Sequence, residues 1–340
     1  MRCVYCDLDG TLLGRGASLL HDGDGGFTLL GVRALEACHR ARVEVVIYSG
    51  RRKAQVSEDA RLIGSSAYIY EVGCGLVVDG EEEFLTDDLV PGDMTIHDQI
   101  TASGAPDLLL ERFAGRLEYH SPWHTDRDVS HLFRGSVDTR EAGELLRAHG
   151  HADLRLVDNG AIRRRSPTLE VDGLHAYHLI PSGASKARAV ARHMQVRGYA
   201  PEECIAVGDS REDMEAATVV GTFWLVANAL QRDESLREAI AGRGNVRVAG
   251  EGHGAQHGVR HGDQRGQRLV AVAPGVEVHL RYRAGADLTV DVDEHRHLDG
   301  VAGGERQRLE HGSVRPDLAG QRLADVGELG IEARQQWPCR

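Results

Sequence analysis

The sequence predicts an α/β fold, a parallel sheet interrupted by an inserted α+β unit. Three observations carry that prediction. Short apolar or β-branched runs at 2–6, 43–48, 67–70 and 203–207 are separated by segments with helical spacing. Strand, helix, strand order calls for parallel crossovers. Three of these runs end in short polar loops: Asp7-Leu8-Asp9-Gly10-Thr11, Ser49-Gly50-Arg51 and Gly208-Asp209-Ser210. Open sheets place their chemistry at such carboxyl ends.

Taken in order, the first strand delivers Asp7 and Asp9, an acid pair that is costly unless a cation or a reacting phosphate offsets its charge. A glycine-rich loop, 12–26, follows. Apolar residues at Leu29, Leu30, Val32, Ala34, Leu35, Ala37 and Cys38 predict a helix over 27–42. The second strand, 43–48, sets Ser49 at its carboxyl end. A helix over 52–62 and a strand over 67–70 come next. Leu76–Gly80 and Glu83–Leu85 then read as a hairpin. A helix over 106–115, strands at 116–120 and 129–137 and a helix over 139–149 follow. A second hairpin is expected around Asn159-Gly160, pairing 154–158 with 161–165. This α+β order marks a separate domain at 81–171, between core segments 1–80 and 172–255. Beyond it, Pro181-Ser182-Gly183-Ala184-Ser185-Lys186 opens a helix over 187–197. Glu203–Val207 is the next strand, followed by strands at 221–226 and 246–248.

Composition narrows the function classes. A net charge of −12 argues against a general nucleic-acid binder, which shows a basic face. No apolar run approaches the roughly 18–20 residues of a membrane helix, so no membrane partner is expected. Asp7 and Asp9 come too soon for a signal peptide, which points to the cytoplasm. A monomer or homodimer is expected. Of six cysteines, Cys3 and Cys6 form a C-x-x-C. On a strand they face opposite sides, and no second C-x-x-C completes a zinc site, so they read as buried thiols. Lysine occurs only at 53 and 186 amid abundant arginine, which singles out Lys186 at a helix start, where an anion is favoured.

The loop Asp7–Thr11 resembles motif I of the haloacid dehalogenase superfamily. Ser49-Gly50-Arg51 resembles motif II, Pro181–Lys186 motif III, and Gly208-Asp209-Ser210-Arg211-Glu212-Asp213 motif IV. The insertion after motif II resembles the type IIB (C2) cap of Cof-like enzymes, a group that includes sucrose-phosphate, trehalose-phosphate and mannosyl-phosphoglycerate phosphatases. One departure stands in motif IV, where Glu212 replaces a common asparagine.

The resemblance implies a Rossmann-like core, Mg²⁺ and a small phosphate ester, such as a sugar phosphate or a phosphoglycerate derivative. It implies Asp7 as nucleophile and Asp9 as acid and base. Asp7, Asp209, Asp213 and the backbone carbonyl of Asp9 would serve the metal. Ser49, Gly50 and Lys186 would hold phosphate. In the cap, Trp123, His124 and Arg127 are candidate substrate contacts. Asp9 argues against dehalogenation. A phosphomutase of the same superfamily and a non-catalytic phosphometabolite binder remain as alternatives.

The tail, 256–340, reads unlike the rest: it lacks lysine and shows poor periodicity apart from 270–292. Three readings compete: a disordered segment, a small β appendage, and the product of a frameshift or read-through in a GC-rich gene.

Overall fold

The computed structural model describes residues 1–162, 166–169 and 171–249, and three strands between 267 and 292. An eight-stranded sheet forms the core. In chain order its strands are β1 (Cys3–Cys6), β2 (Glu44–Tyr48), β3 (Ala67–Tyr70), β4 (Gly75–Val78), β5 (Glu81–Phe84), β10 (Cys204–Gly208), β11 (Thr222–Leu225) and β12 (Val246–Val248). Across the sheet the order is β12-β11-β10-β1-β2-β3-β4-β5. The pairs from β12 to β3 are parallel, and β4 and β5 add an antiparallel edge. All four residues of β1 are buried, as expected for a central parallel strand covered on both faces. Cys3 packs in one apolar cluster and Cys6 in another, on opposite faces as the strand period requires.

The crossovers are α1 (Leu30–Arg40), α2 (Lys53–Ile63) and, after the insertion, α6 (Lys186–Arg197). The Ser185 side chain caps α6 by accepting the Arg188 N–H at 3.0 Å, and Gly198 closes the helix in the left-handed conformation, φ 65°. The remaining core helices are α7 (Arg211–Met214), α8 (Ala227–Arg232) and α9 (Leu236–Ile240).

A second sheet, ordered β6-β7-β9-β8, carries the inserted unit. Its strands are β6 (Leu117–Tyr119), β7 (His131–Gly135), β8 (Leu154–Ile162) and β9 (Leu174–Pro181), packed with α3 (Ile96–Ala102), α4 (Ala105–Arg112) and α5 (Thr139–Ala148). Phe113, Phe133, Leu146, Leu179 and Ile180 form its core.

Three expectations need correction. The joins expected at 80/81 and 171/172 cut through pairing strands. β5 pairs with β4 in the core sheet, because a tight turn at Asp79-Gly80 leaves its second strand beside the first. β9 pairs with β7 and β8 in the smaller sheet. The hairpin around Asn159-Gly160 does not form. β8 runs on to Ile162, and the irregularity between Asp158 and Ala161 is a bulge against β9. The Asp158 carboxylate accepts the Gly160 N–H at 2.8 Å and holds that bulge. Helix α3 is additional; Thr95 caps it by accepting the Asp98 N–H at 3.0 Å.

Of the tail, strands β13 (Gln267–Ala273), β14 (Val276–Tyr282) and β15 (Leu288–Val292) are described, as an antiparallel sheet. The other tail residues and the three arginines at 163–165 lie outside the described residues.

A stability prediction arises from the inserted unit. His131 is buried and stacked on His97, with ring centroids 4.0 Å apart. Burial, with the neighbouring His97, pushes its pKa down to about 4 from 6.5. The unfolded chain therefore takes up a proton that the folded one resists. Stability should fall as pH drops from about 7 to about 4, by up to about 3 kcal/mol from this group. Denaturant unfolding across that range measures it, and His131→Gln should flatten the slope.

Candidate active site

Three neighbouring parallel strands, β10, β1 and β2, end side by side. Asp7 follows β1, and its backbone N–H bonds the Val207 carbonyl of β10 at 3.0 Å. Ser49 follows β2 and Asp209 follows β10. The register thus gathers three of the four predicted motifs at one edge of the sheet, and α6 brings the fourth. Lys186, its first residue, is 1% exposed, and its Nζ lies 3.0 Å from Asp7 Oδ1 and 2.5 Å from Asp213 Oδ1. The ammonium also stands 5.0 Å from the centroid of the Tyr48 ring, a cation–π contact.

Asp213 is fixed from its other oxygen. Oδ2 accepts the N–H groups of Asp209 and Ser210 at 3.1 and 3.0 Å and the Ser210 hydroxyl at 2.7 Å. Ser210 returns the bond from the Asp213 N–H, a reciprocal cap on the short helix α7. Glycine is required at 10, where φ is 92° and a Cβ would stand 2.1 Å from Asp209 Oδ2.

The electrostatics follow from burial. Burial raises Asp7 well above the usual carboxylate range, against the opposing pull of Lys186, with Asp213 and Asp209 adding to the rise. Burial, helped by Asp213, pushes Asp209 up to about 7, although the Arg232 guanidinium stands 2.7 Å away. Burial works against the charge of Lys186, but Asp213 and Asp7 outweigh it and hold the ammonium more firmly than usual. Negative charge is therefore in excess here. Asp7, Asp209 and Asp213 each offer an oxygen, all within 4.8 Å of one another. Buried hard oxygen donors short of positive charge suit Mg²⁺.

The side chain of Asp9 does not join that group. It is 56% exposed and makes a two-pronged pair with Arg51, at 2.6 and 2.7 Å. Arg51 also bonds Asp59 at 2.8 Å. Ser49 is buried, and its hydroxyl accepts the Arg51 N–H at 3.2 Å.

The inserted unit meets the core at this edge. Arg127 is a joining residue: its Nη1 donates to the Gly50 carbonyl at 3.2 Å and to Ser130 Oγ at 3.0 Å, with Glu71 at 3.9 Å. Glu71, fully buried, accepts the N–H groups of Asp128, Val129 and Ser130. Trp123 is 37% exposed and edge-on to His120, while His124 stacks on Tyr119. Glu212 has a clear place. Its Oε1 accepts the Lys186 N–H at 3.3 Å and faces Arg155 of β8 at 3.4 Å. It joins the start of α6 to the inserted sheet.

Two residues not foreseen from sequence stand over motif II. A Cβ on Gly50 would fall 2.6 Å from Asn159 Nδ2 and 3.0 Å from His178 Nε2. The bulge in β8 delivers Asn159, whose Oδ1 is buried with no hydrogen-bond partner among the described residues. His178 is buried on β9, with Ser130 Oγ on its Nδ1 at 3.2 Å. Burial, with Arg127 and Lys186 adding, holds its pKa well below the usual range, so the ring is neutral. Alternating strand position was the one available signal for His178.

A family model described as haloacid dehalogenase-like hydrolase matches residues 162–239, the stretch that holds Lys186, Asp209 and Asp213. Over that stretch the chain is similar to the haloacid dehalogenase-like hydrolases. It is also similar to curated proteins over most of their length. It is 26% identical over 247 residues to a phosphoglycolate phosphatase of Methanoculleus marisnigri, covering 72% of this chain and 92% of that protein. It is 26% identical over 243 residues to one of Archaeoglobus fulgidus, covering 70% and 87%. Among solved structures, the sucrose-phosphatase of Synechocystis sp. PCC6803 aligns at a TM-score of 0.48 and 15% identity, covering 73% of this chain and 92% of that one. No helix among the described residues is long and apolar enough to cross a membrane.

Proposed function

We propose that this protein is a Mg²⁺-dependent phosphomonoesterase of the haloacid dehalogenase type acting through an aspartyl-phosphate on Asp7. The observation that carries the reading is the buried Asp7–Lys186–Asp213 array beside Asp209 at the sheet's carboxyl edge. Asp7, Asp209 and Asp213 would hold Mg²⁺, which supplies charge neutralisation for a phosphate brought against a carboxylate. Asp7 attacks phosphorus and displaces the alkoxide. Lys186 holds the orientation of Asp7 and offsets charge on the phosphoryl oxygens. The Ser49 hydroxyl and the Gly50 N–H receive those oxygens.

Asp9 protonates the leaving alkoxide and then takes a proton from the water that hydrolyses the intermediate. The fork on Arg51 favours the ionised carboxylate, so Asp9 must leave Arg51 before it can donate. Asp9→Asn should cost on the order of 10²–10⁴ in kcat/KM for an alkyl phosphate. It should cost far less for an aryl phosphate, whose leaving group needs no proton. Parallel kinetics on the two esters measures the difference, and equal losses would remove Asp9 as the acid.

The inserted unit is proposed as the cap that reads the rest of the substrate. Asn159 and His178, close over Gly50, would offer a small ester hydrogen bonds. A neutral His178 donates or accepts without adding charge. The names of the curated relatives put phosphoglycolate first among candidates, alongside sugar phosphates and phosphoglycerates. Phosphate release from such a panel, with and without Mg²⁺, tests the reading. No release from any ester in Mg²⁺ would reject it in favour of a binding protein.

A further inference from the structure

The opposite end of the sheet carries a second cluster, one that catalysis does not use. Cys3, Glu44 and Cys204 open β1, β2 and β10, and the register sets Cys3 beside both of the others. His193 reaches the same place from the middle of α6. Ligand atoms of Cys3, Glu44 and His193 all lie within 4.8 Å of one another. Cys3, His193 and Cys204 are fully buried.

The imidazole decides how the cluster is read. The Tyr5 hydroxyl engages His193 Nδ1 at 2.8 Å and leaves Nε2 turned to the cluster. Nε2 is buried with no hydrogen-bond partner among the described residues. Glu44 Oε2 stands 3.7 Å from it, beyond hydrogen-bond reach. An orphaned ring nitrogen facing a thiol and a carboxylate, with its other nitrogen anchored, is how metal-ligating histidines are held.

We propose that Cys3, Glu44 and His193 bind a zinc-class divalent cation at the amino end of the sheet. Sulfur, nitrogen and oxygen donors together suit a borderline-soft ion and set this place apart from the all-oxygen cluster around Asp7. Tetrahedral bonds of roughly 2.0–2.3 Å set donors about 3.3–3.8 Å apart, so atoms within 4.8 Å of one another close by up to about 1 Å on binding. Arg197 at 2.9 Å and the Tyr199 hydroxyl at 2.9 Å present the Glu44 carboxylate. The Cys3 thiol gives its proton to solvent as the S–metal bond forms. The ion would tie together β1, β2 and α6, whose far ends carry Asp7, Ser49 and Lys186.

Cobalt titration of the metal-free full-length protein tests this. Co²⁺ should produce a thiolate-to-cobalt charge-transfer band that saturates at one equivalent, is erased by Zn²⁺ and does not arise from oxygen ligands. Cys3→Ser should abolish the band, and His193→Gln should weaken Co²⁺ binding at least tenfold. Neither should change Mg²⁺-dependent phosphate release, so a failure here is separate from a failure of the phosphatase reading. No thiolate band in the wild-type protein at saturating Co²⁺ would overturn the proposal, even if the variants fail to fold. So would a band that survives in Cys3→Ser.

Discussion

Asp7→Asn should lower phosphate release at least about 10⁴-fold, the scale seen when a covalent nucleophile is removed. The fold should survive. Asp7 is buried, and burial raises its pKa well above the usual range. Such a group favours the folded state below its unfolded pKa, and that benefit is lost as pH rises through the folded value. Near neutral pH an amide is therefore no burden, and Lys186 keeps Asp213 at 2.5 Å. Thermal unfolding at pH 7 should show a midpoint equal to or above that of the wild type. Turnover near the wild-type rate would remove Asp7 as nucleophile.

Lys186→Met should damage both activity and stability. It withdraws the ammonium shared by Asp7 and Asp213, at 3.0 and 2.5 Å, and leaves Asp209 beside them. Breaking a buried pair costs about 3–5 kcal/mol because the partners stay behind uncompensated. Loss of a fixed positive charge at the reacting phosphate costs about 10²–10³ in kcat or more. Added Mg²⁺ should recover much of the stability and little of the rate. Denaturant unfolding and phosphate release, each with and without Mg²⁺, separate the two losses. Lys186→Arg should also fail, since the planar fork cannot occupy the place of a compact ammonium between two carboxylates.

The core and its motifs were legible because their signals are local. A strand that runs into Asp7-Leu8-Asp9-Gly10 or Ser49-Gly50-Arg51 states its own direction, and strand–helix–strand order sets those loops side by side. Lys186 stood out among arginines, and burial between two acids gives the physical reason. The inserted unit was harder. Asn159-Gly160 carries the composition of a tight turn, yet β8 runs through it because its partner is β9, whose contribution no local pattern reports. That pairing turns an expected turn into the bulge that delivers Asn159 to Gly50. Arg127 was singled out as a substrate contact, and its engagement with Glu71 and Gly50 spans more than fifty residues of chain, beyond any short-range signal. Thr95 and Asp98, by contrast, spell a helix start that was there to be read.

The central claim is that Asp7 forms a covalent bond to phosphorus. Acid quenching of the full-length protein during turnover of a phosphomonoester in Mg²⁺, followed by mass-spectrometric mapping, tests it most directly. The predicted result is a phosphoryl group on the peptide that contains Asp7, absent from Asp7→Asn. A phosphoryl group on any other residue, or active turnover with none on the Asp7 peptide at any quench time, would contradict it.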